Sequence, residues 1–63
     1  MPVITVEAGK MDKNQKALLV KELTQKASEI LNIPEQAFVT LLKENEPDNV
    51  GVGGQLLSAR HSK

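Results

Sequence analysis

The sequence predicts an α/β (α+β) fold that consists of one β-α-β unit followed by a short C-terminal hairpin. Two short segments rich in β-branched residues flank one long segment of helix formers, and a glycine cluster follows the second of them. The chain has 63 residues. This length suffices for one small domain, so we expect residues 1-63 to form a single domain.

The first predicted strand runs from residue 2 to residue 8. Its residues alternate, so that Ile4 and Val6 lie on one face and Thr5 and Glu7 lie on the other. One face can therefore pack against a helix while the other stays open.

The predicted helix begins after Asp12, which precedes Gln15 at the spacing of a capping box. It ends at Asn32-Ile33-Pro34, because the residue before proline avoids the α conformation and asparagine tolerates a left-handed cap. Leu18 departs from the apolar stripe of this helix, either as an exposed leucine or as a contact to a second subunit. The stripe itself consists of Leu19, Val20, Leu23, Ala27, Ile30 and Leu31.

The second predicted strand covers residues 37–44, which are again β-branched and aliphatic. The intervening helix is long enough for a crossover, so we expect parallel strands with the helix on one face of the sheet. A polar loop follows at 45–49, and the Val50–Gly54 segment predicts a tight hairpin or a bulged ribbon. The Leu56-Leu57 pair is expected to anchor that hairpin.

Both size and topology predict self-association. A domain of about 60 residues buries only roughly 60% of its unfolded surface and usually needs a disulfide, a metal or a partner subunit. The chain has no cysteine and one histidine, His61. A two-strand unit also leaves one sheet face and both edges uncovered. We therefore expect a homo-oligomer in which pairs of chains form four-stranded sheets backed by two helices.

Composition argues against several classes of function. Eight Lys and Arg balance eight Asp and Glu, so no net charge attracts the chain to nucleic acid or anionic lipid. Phe38 is the only aromatic residue and offers no stacking platform for bases. No segment approaches the roughly 18 apolar residues of a membrane span, and no basic region precedes an apolar one at the start. We expect a cytoplasmic protein that binds neither nucleic acid nor membranes.

Metal and phosphate motifs are also unsupported. Glu44, Glu46 and Asp48 alternate as in a calcium loop, but its sixth and twelfth positions are Asn49 and Gln55. The glycine cluster lacks the Gly-x-Gly-x-x-Gly spacing of a dinucleotide site. We expect neither a metal nor a cofactor.

Proton transfer near neutral pH is the chemistry that the sequence leaves open. Only histidine and the α-amino group have unperturbed pKa values in that range, so the candidates are His61 and the N-terminus. Removal of the initiator methionine, which is general before small residues, would make Pro2 a secondary amine. The apolar Val3 and Ile4 beside it would lower the pKa of that amine by desolvation. Pro2 is therefore a candidate base, although proline also fits the first residue of a strand.

Several features occur together along the chain. They are the proline after Met1, the β-α-β unit, the Gly9-Lys10 turn, the Gln15-Lys16 pair and the Gly51-Val52-Gly53-Gly54 segment. With this combination the chain resembles the 4-oxalocrotonate tautomerase family over nearly its whole length. The resemblance implies that Pro2 is the catalytic base, which moves a proton between a dienol and its conjugated keto form.

The resemblance also implies substrate-binding residues. Lys10 stands where the family has an arginine that binds a substrate carboxylate. The positive charge is kept, but the two parallel N–H donors with which arginine binds both carboxylate oxygens are lost. Val39 stands where a second arginine polarises the substrate oxygen, and that role is vacant. Arg60 is a candidate replacement, and Val50 takes the place of an aromatic residue in the apolar wall.

Pro2 and Lys10 lie at opposite ends of the first strand. Eight steps of about 3.3 Å separate them by roughly 26 Å, so one chain cannot bring them together. If first strands of two subunits pair antiparallel, Lys10 of one subunit approaches Pro2 of the other. The resemblance implies three such dimers in a hexamer. The alternative is that Lys10 is a solvated turn residue.

The resemblance therefore implies a cofactor-independent isomerase that interconverts enol and keto forms of an unsaturated 2-oxo acid. The best match is 2-hydroxymuconate to 2-oxo-3-hexenedioate. One alternative keeps the Pro2 base for hydration or dehalogenation of unsaturated acids. Another is a non-catalytic homo-oligomeric binding protein in which Pro2 only starts a strand. If Met1 is retained, the nitrogen of Pro2 is an amide without a basic lone pair.

Overall fold

The computed structural model describes residues 1–60, with side chains described for residues 1–59. The main elements are β1 (Val3–Ala8), α1 (Lys13–Leu31), β2 (Val39–Glu44), β3 (Gly51–Val52) and β4 (Gln55–Leu56). Short 3₁₀ helices cover Glu35–Ala37, Pro47–Asn49 and Leu57–Arg60. The predicted β-α-β unit with a C-terminal hairpin is confirmed.

The two long strands form a parallel pair. Their register runs from Val3 opposite Val39 to Ala8 opposite Glu44. Hydrogen bonding continues past both ends of the ladder. The amide of Val39 donates to the carbonyl of Pro2 at 3.0 Å, and the amide of Asn45 donates to the carbonyl of Ala8 at 2.8 Å. This register places the carboxyl ends of β1 and β2 at one edge of the sheet.

Local signals fix both ends of α1. The Asp12 carboxylate accepts from the amide of Gln15 at 2.8 Å, and the Gln15 side chain accepts from the amide of Asp12 at 3.0 Å. Asn32 caps the other end in the left-handed conformation with a φ of 61°. The predicted capping box and C-cap are therefore confirmed.

The small core lies between α1 and one face of the sheet. A hydroxyl contact of 3.1 Å between Thr24 and Thr40 joins the helix to β2. The half-buried sheet residues on this face are Ile4, Val6, Ala8, Thr40 and Leu42. No residue in the range 1–59 is fully buried.

Part of the predicted apolar stripe is exposed, and one strand boundary differs from the prediction. The end of the predicted apolar stripe is uncovered in the single chain, where Ile30 is 73% and Leu31 is 52% exposed. The second strand begins at Val39, because residues 35–37 form a 3₁₀ turn in which the amide of Phe38 donates to the carbonyl of Glu35. Leu18, which the pattern left open, is 58% exposed.

The open face of the sheet also carries exposed apolar side chains. Val3 and Leu41 are each 53% exposed there. The radius of gyration is 15.1 Å, whereas a compact domain of this length has about 11 Å. The isolated chain is thus less compact than a monomeric domain of its size. Within residues 1–60, no helix combines the length and apolar character needed to cross a bilayer.

Candidate active site

A cavity of about 640 Å³ opens at the carboxyl ends of β1 and β2. The parallel register explains its position, because both strands deliver the residues that follow them to this edge. Its polar lining consists of Glu7, Lys10, Glu44, Asn45 and Glu46, and its apolar lining includes Ala8, Pro47, Val50 and Leu57. One side of the cavity therefore carries three carboxylates and the ammonium group of Lys10, and the other side is apolar.

Val50 stands at the base of the C-terminal hairpin. Its amide donates to the carbonyl of Pro47 at 3.3 Å, and its carbonyl accepts from the amide of Leu57 at 2.7 Å. The hairpin closes through Gly53 and Gly54, whose φ values of 62° and 86° favour glycine. These bonds hold the half-buried Val50 side chain at the apolar wall.

Asn45 bridges the two strands at the polar side. Its amide donates to the carbonyl of Ala8 at 2.8 Å, and its side-chain nitrogen donates to Oε1 of Glu7 at 3.0 Å. The backbone of Ala8 and the carboxylate of Glu7 are both fixed by this one residue.

Glu44 ties the turn after β1 to the end of β2. Its Oε2 accepts from the amide of Met11 at 2.9 Å and lies 3.2 Å from Nζ of Lys16. The hydrogen bond from Met11, followed by that from Lys16, holds the pKa of Glu44 below its ordinary value, and the charge of Lys10 adds to this effect. Glu44 is therefore ionised at neutral pH.

Lys10 is exposed at the mouth of the cavity. The ion pairs within the described side chains are Lys16 with Glu44 and Lys26 with Glu29, and neither involves Lys10. Its ammonium group can therefore meet an anionic ligand. The structure brings Lys10 and Val50 to one cavity, while their roles in binding stay predictions.

Pro2 lies at the opposite end of β1. It is half-buried and is not part of the cavity lining, and its carbonyl is bonded to Val39, which pairs with Val3. Met1 is 88% exposed. Because the sheet uses the carbonyl of Pro2, removal of Met1 would leave this backbone bond in place.

The remaining candidates lie at the C-terminus. The backbone of Arg60 ends the 3₁₀ helix that starts at Leu57, but its side chain and the whole of His61 lie outside the described residues. Within residues 1–60, no group of three His, Cys, Asp or Glu side chains is arranged to hold a metal ion.

Sequence reasoning missed Glu44, Asn45 and Leu57 as residues of this cavity. For the first two a signal existed, since parallel pairing brings the end of β2 beside the turn that carries Lys10. Leu57 offered no comparable signal, because hairpin closure brings it to the cavity.

Comparison with known families identifies the class of the protein. The family model described as Tautomerase enzyme matches residues 2–60. The chain belongs to this tautomerase family. No curated protein sequence gives a significant match.

Solved structures agree with this assignment. DmpI from Archaeoglobus fulgidus is 38% identical with a TM-score of 0.83, and the match covers 90% of this chain and 98% of that one. TomN, a 4-oxalocrotonate tautomerase homologue in the tomaymycin biosynthetic pathway, is 28% identical with a TM-score of 0.91 over 98% and 97% of the two chains. An apo unfused 4-OT is 30% identical with a TM-score of 0.86 over 94% and 98%. The resemblance to 4-oxalocrotonate tautomerases is thus confirmed.

Proposed function

We propose that this protein is a cofactor-independent tautomerase in which the N-terminal amine of Pro2 is the base. Its substrate is an unsaturated 2-oxo acid in enol or keto form, and 2-hydroxymuconate is the first compound to test. The observation that carries the proposal is a family match that starts at residue 2, joined to a cavity that pairs a lysine with an apolar wall.

The position of Pro2 supports its role as a base. Once Met1 is removed, the ring nitrogen is a secondary amine at the start of a strand whose next residue is Val3. Val39 lies directly across the ladder from Val3. These apolar neighbours disfavour the charged amine and so favour the neutral form that accepts a proton.

The reaction transfers one proton and needs no other reactant. The Pro2 nitrogen takes the proton from the 2-hydroxyl group of 2-hydroxymuconate and returns it to carbon 5, which yields 2-oxo-3-hexenedioate. Lys10 binds a carboxylate of the substrate and stabilises the negative charge that develops on it. Val50 and Leu57 exclude water from the conjugated chain.

Two chains are needed to build the site. Pro2 and Lys10 stand at opposite ends of the extended β1, so Lys10 must come from a second subunit that pairs with β1 in antiparallel orientation. The exposed apolar face with Val3 and Leu41, and the exposed Ile30, supply surface for such packing. We propose a homo-oligomer, with a hexamer of three dimers as its form.

The test is to compare processed protein with the same chain carrying an uncleaved N-terminal extension. Intact mass verifies the state of the Pro2 nitrogen in each sample, and the ultraviolet absorbance of the dienol follows turnover. The processed chain should be active and the extended chain inactive, with equal oligomeric state. Equal activity in both samples would refute Pro2 as the base. If the processed chain only hydrates or dehalogenates unsaturated acids, that reaction replaces tautomerisation in the proposal.

A further inference from the structure

The Gly9-Lys10 turn is held at two points that lie immediately beside it. On one side, the carbonyl of Ala8 accepts from the amide of Asn45 at 2.8 Å. On the other side, the amide of Met11 donates to the carboxylate of Glu44 at 2.9 Å. Lys10 therefore sits on a two-residue span between fixed ends.

Little else restrains this span. A side chain built at Gly9 would have no atom within 4 Å, so the turn is not packed there. The Asp12 capping box fixes the chain only from the start of α1 onward. The contact between Glu44 and Met11 is thus the restraint nearest to Lys10 on its helix side.

We propose that Glu44, oriented by Lys16, is a positioning residue that holds the turn so that the ammonium group of Lys10 stays at the cavity. The inference rests on the proposed binding of a substrate carboxylate by Lys10. Glu44 itself touches no substrate in this account, because its Oε2 already accepts from Met11 and Lys16.

The ion pair with Lys16 has a second consequence. Both side chains are partly exposed, so the pair adds little to stability. Instead, Lys16 balances the negative charge of Glu44. Without Lys16, that carboxylate would attract the neighbouring Lys10 and compete with the substrate. Loss of Lys16 should therefore weaken substrate binding even though no substrate contact is removed.

Three variants separate these effects. Glu44→Ala removes the acceptor for the Met11 amide and should raise KM for 2-hydroxymuconate about fivefold with little change in kcat, as expected for loss of one hydrogen bond. Glu44→Gln keeps an amide oxygen as acceptor and should restore KM to within about twofold of the wild type. Lys16→Met frees the carboxylate and should raise KM by about as much as Glu44→Ala.

The control is Glu29→Ala, which breaks the ion pair of similar length between Lys26 and Glu29 elsewhere on α1. Its KM should equal that of the wild type. Hydrogen exchange of the Met11 amide gives a readout that does not depend on activity, and it should accelerate in Glu44→Ala but not in Glu44→Gln. Thermal melting and light scattering verify that each variant folds and assembles.

A double-mutant cycle with Lys10→Ala decides whether Glu44 acts through Lys10. If it does, Glu44→Ala raises KM in the wild-type background and adds nothing in the Lys10→Ala background. Equal increases in both backgrounds would overturn the inference and leave the proposed function intact. An unchanged KM in Lys10→Ala alone would instead refute carboxylate binding by Lys10, and the inference with it.

Discussion

The two ends of β1 differ in chemistry although they belong to the same six-residue strand. At the Pro2 end the neighbours are apolar, and the sheet uses only the proline carbonyl. At the Ala8 end, side chains from three segments surround a cavity that contains Lys10. In the proposed function, one end supplies a neutral amine and the other supplies the ammonium group of Lys10, so the proposal requires a second copy of the chain to bring the two together.

The largest expected effect comes from separating the subunits. Leu41→Lys places a charge on the open sheet face, where Leu41 is 53% exposed in the single chain. Burial of an unpaired charge against a second copy is costly, so we expect light scattering to show smaller assemblies than the wild type, with a large loss of turnover. Glu22→Lys, on the exposed side of α1, is the control and should keep both assembly and activity.

If Leu41→Lys keeps the wild-type assembly size and full activity, this face is not an interface that the site needs.

The next effect acts on the Pro2 end alone. Pro2→Ala keeps an amine but replaces a rigid secondary amine with a primary amine that rotates freely. This change alters both the basicity of the nitrogen and its orientation toward the substrate. We expect kcat to fall about 10- to 100-fold with KM nearly unchanged. The kcat/KM profile of the wild type should rise through an ionisation below the α-amino range of about 7.7–8.0.

Pro34→Ala is the matched control, because Pro34 is an exposed proline in the loop after α1. His61→Ala should leave the pH profile unchanged, which excludes histidine as the source of the ionisation. An unaltered kcat in Pro2→Ala would mean that Pro2 is not the base and only starts the strand.

A smaller effect is expected at the other end of the strand. Lys10→Ala should raise KM for 2-hydroxymuconate about tenfold, since a charge-assisted hydrogen bond to the carboxylate is lost. Lys10→Arg should be tolerated because it keeps the charge. Lys13→Ala, which removes an exposed lysine three residues later, should leave KM unchanged. Unchanged kinetics in Lys10→Ala would make Lys10 a solvated turn residue.

Local features of the fold followed from the sequence because short-range interactions determine them. The capping box of Asp12 and the left-handed Asn32 depend on neighbours within a few residues. The apolar stripe of α1 was also visible, but the exposure of Ile30 and Leu31 was not, because periodicity does not say which surface covers a stripe. That surface belongs to another copy of the chain in our account.

The candidate site was less predictable. The resemblance pointed to Lys10 and Val50, which do share a cavity, but it offered no expectation for Glu44 or Asn45. Their contacts join segments more than thirty residues apart and depend on the register of β1 with β2. Such contacts follow from strand pairing, and the spacing of residues along the chain does not reveal them.

The smallest expected effect concerns stability in acid. The pKa of Glu44 is lower in the folded chain than its ordinary value, because the Met11 amide and Lys16 favour the carboxylate. The charges facing it are Lys16 from α1 and Lys10 from the turn, and Glu46 lines the same cavity. The contribution of Glu44 is therefore complete above its ordinary pKa and is lost as the pH falls through the folded value.

Thermal melts between about pH 5 and pH 3 measure this contribution. The fall in Tm across that range should be smaller in Glu44→Gln than in the wild type, while Glu29→Gln should behave like the wild type. Identical slopes in all three proteins would mean that the contact between Glu44 and Met11 does not persist in solution.

The central claim, that each site takes Pro2 from one chain and Lys10 from another, is tested most directly by subunit complementation. A chain with an uncleaved N-terminal extension and a processed Lys10→Ala chain, each defective alone, are coexpressed and purified as mixed oligomers. Random pairing makes half of the pairs mixed, and each mixed pair contains one intact site. Because Lys10→Ala acts on KM, activity is compared as kcat/KM at substrate concentrations well below KM, and it should recover to about one quarter of the wild-type value. If Pro2 and Lys10 act within one chain, no mixed pair contains an intact site, and activity no higher than the average of the two variants would contradict the shared site.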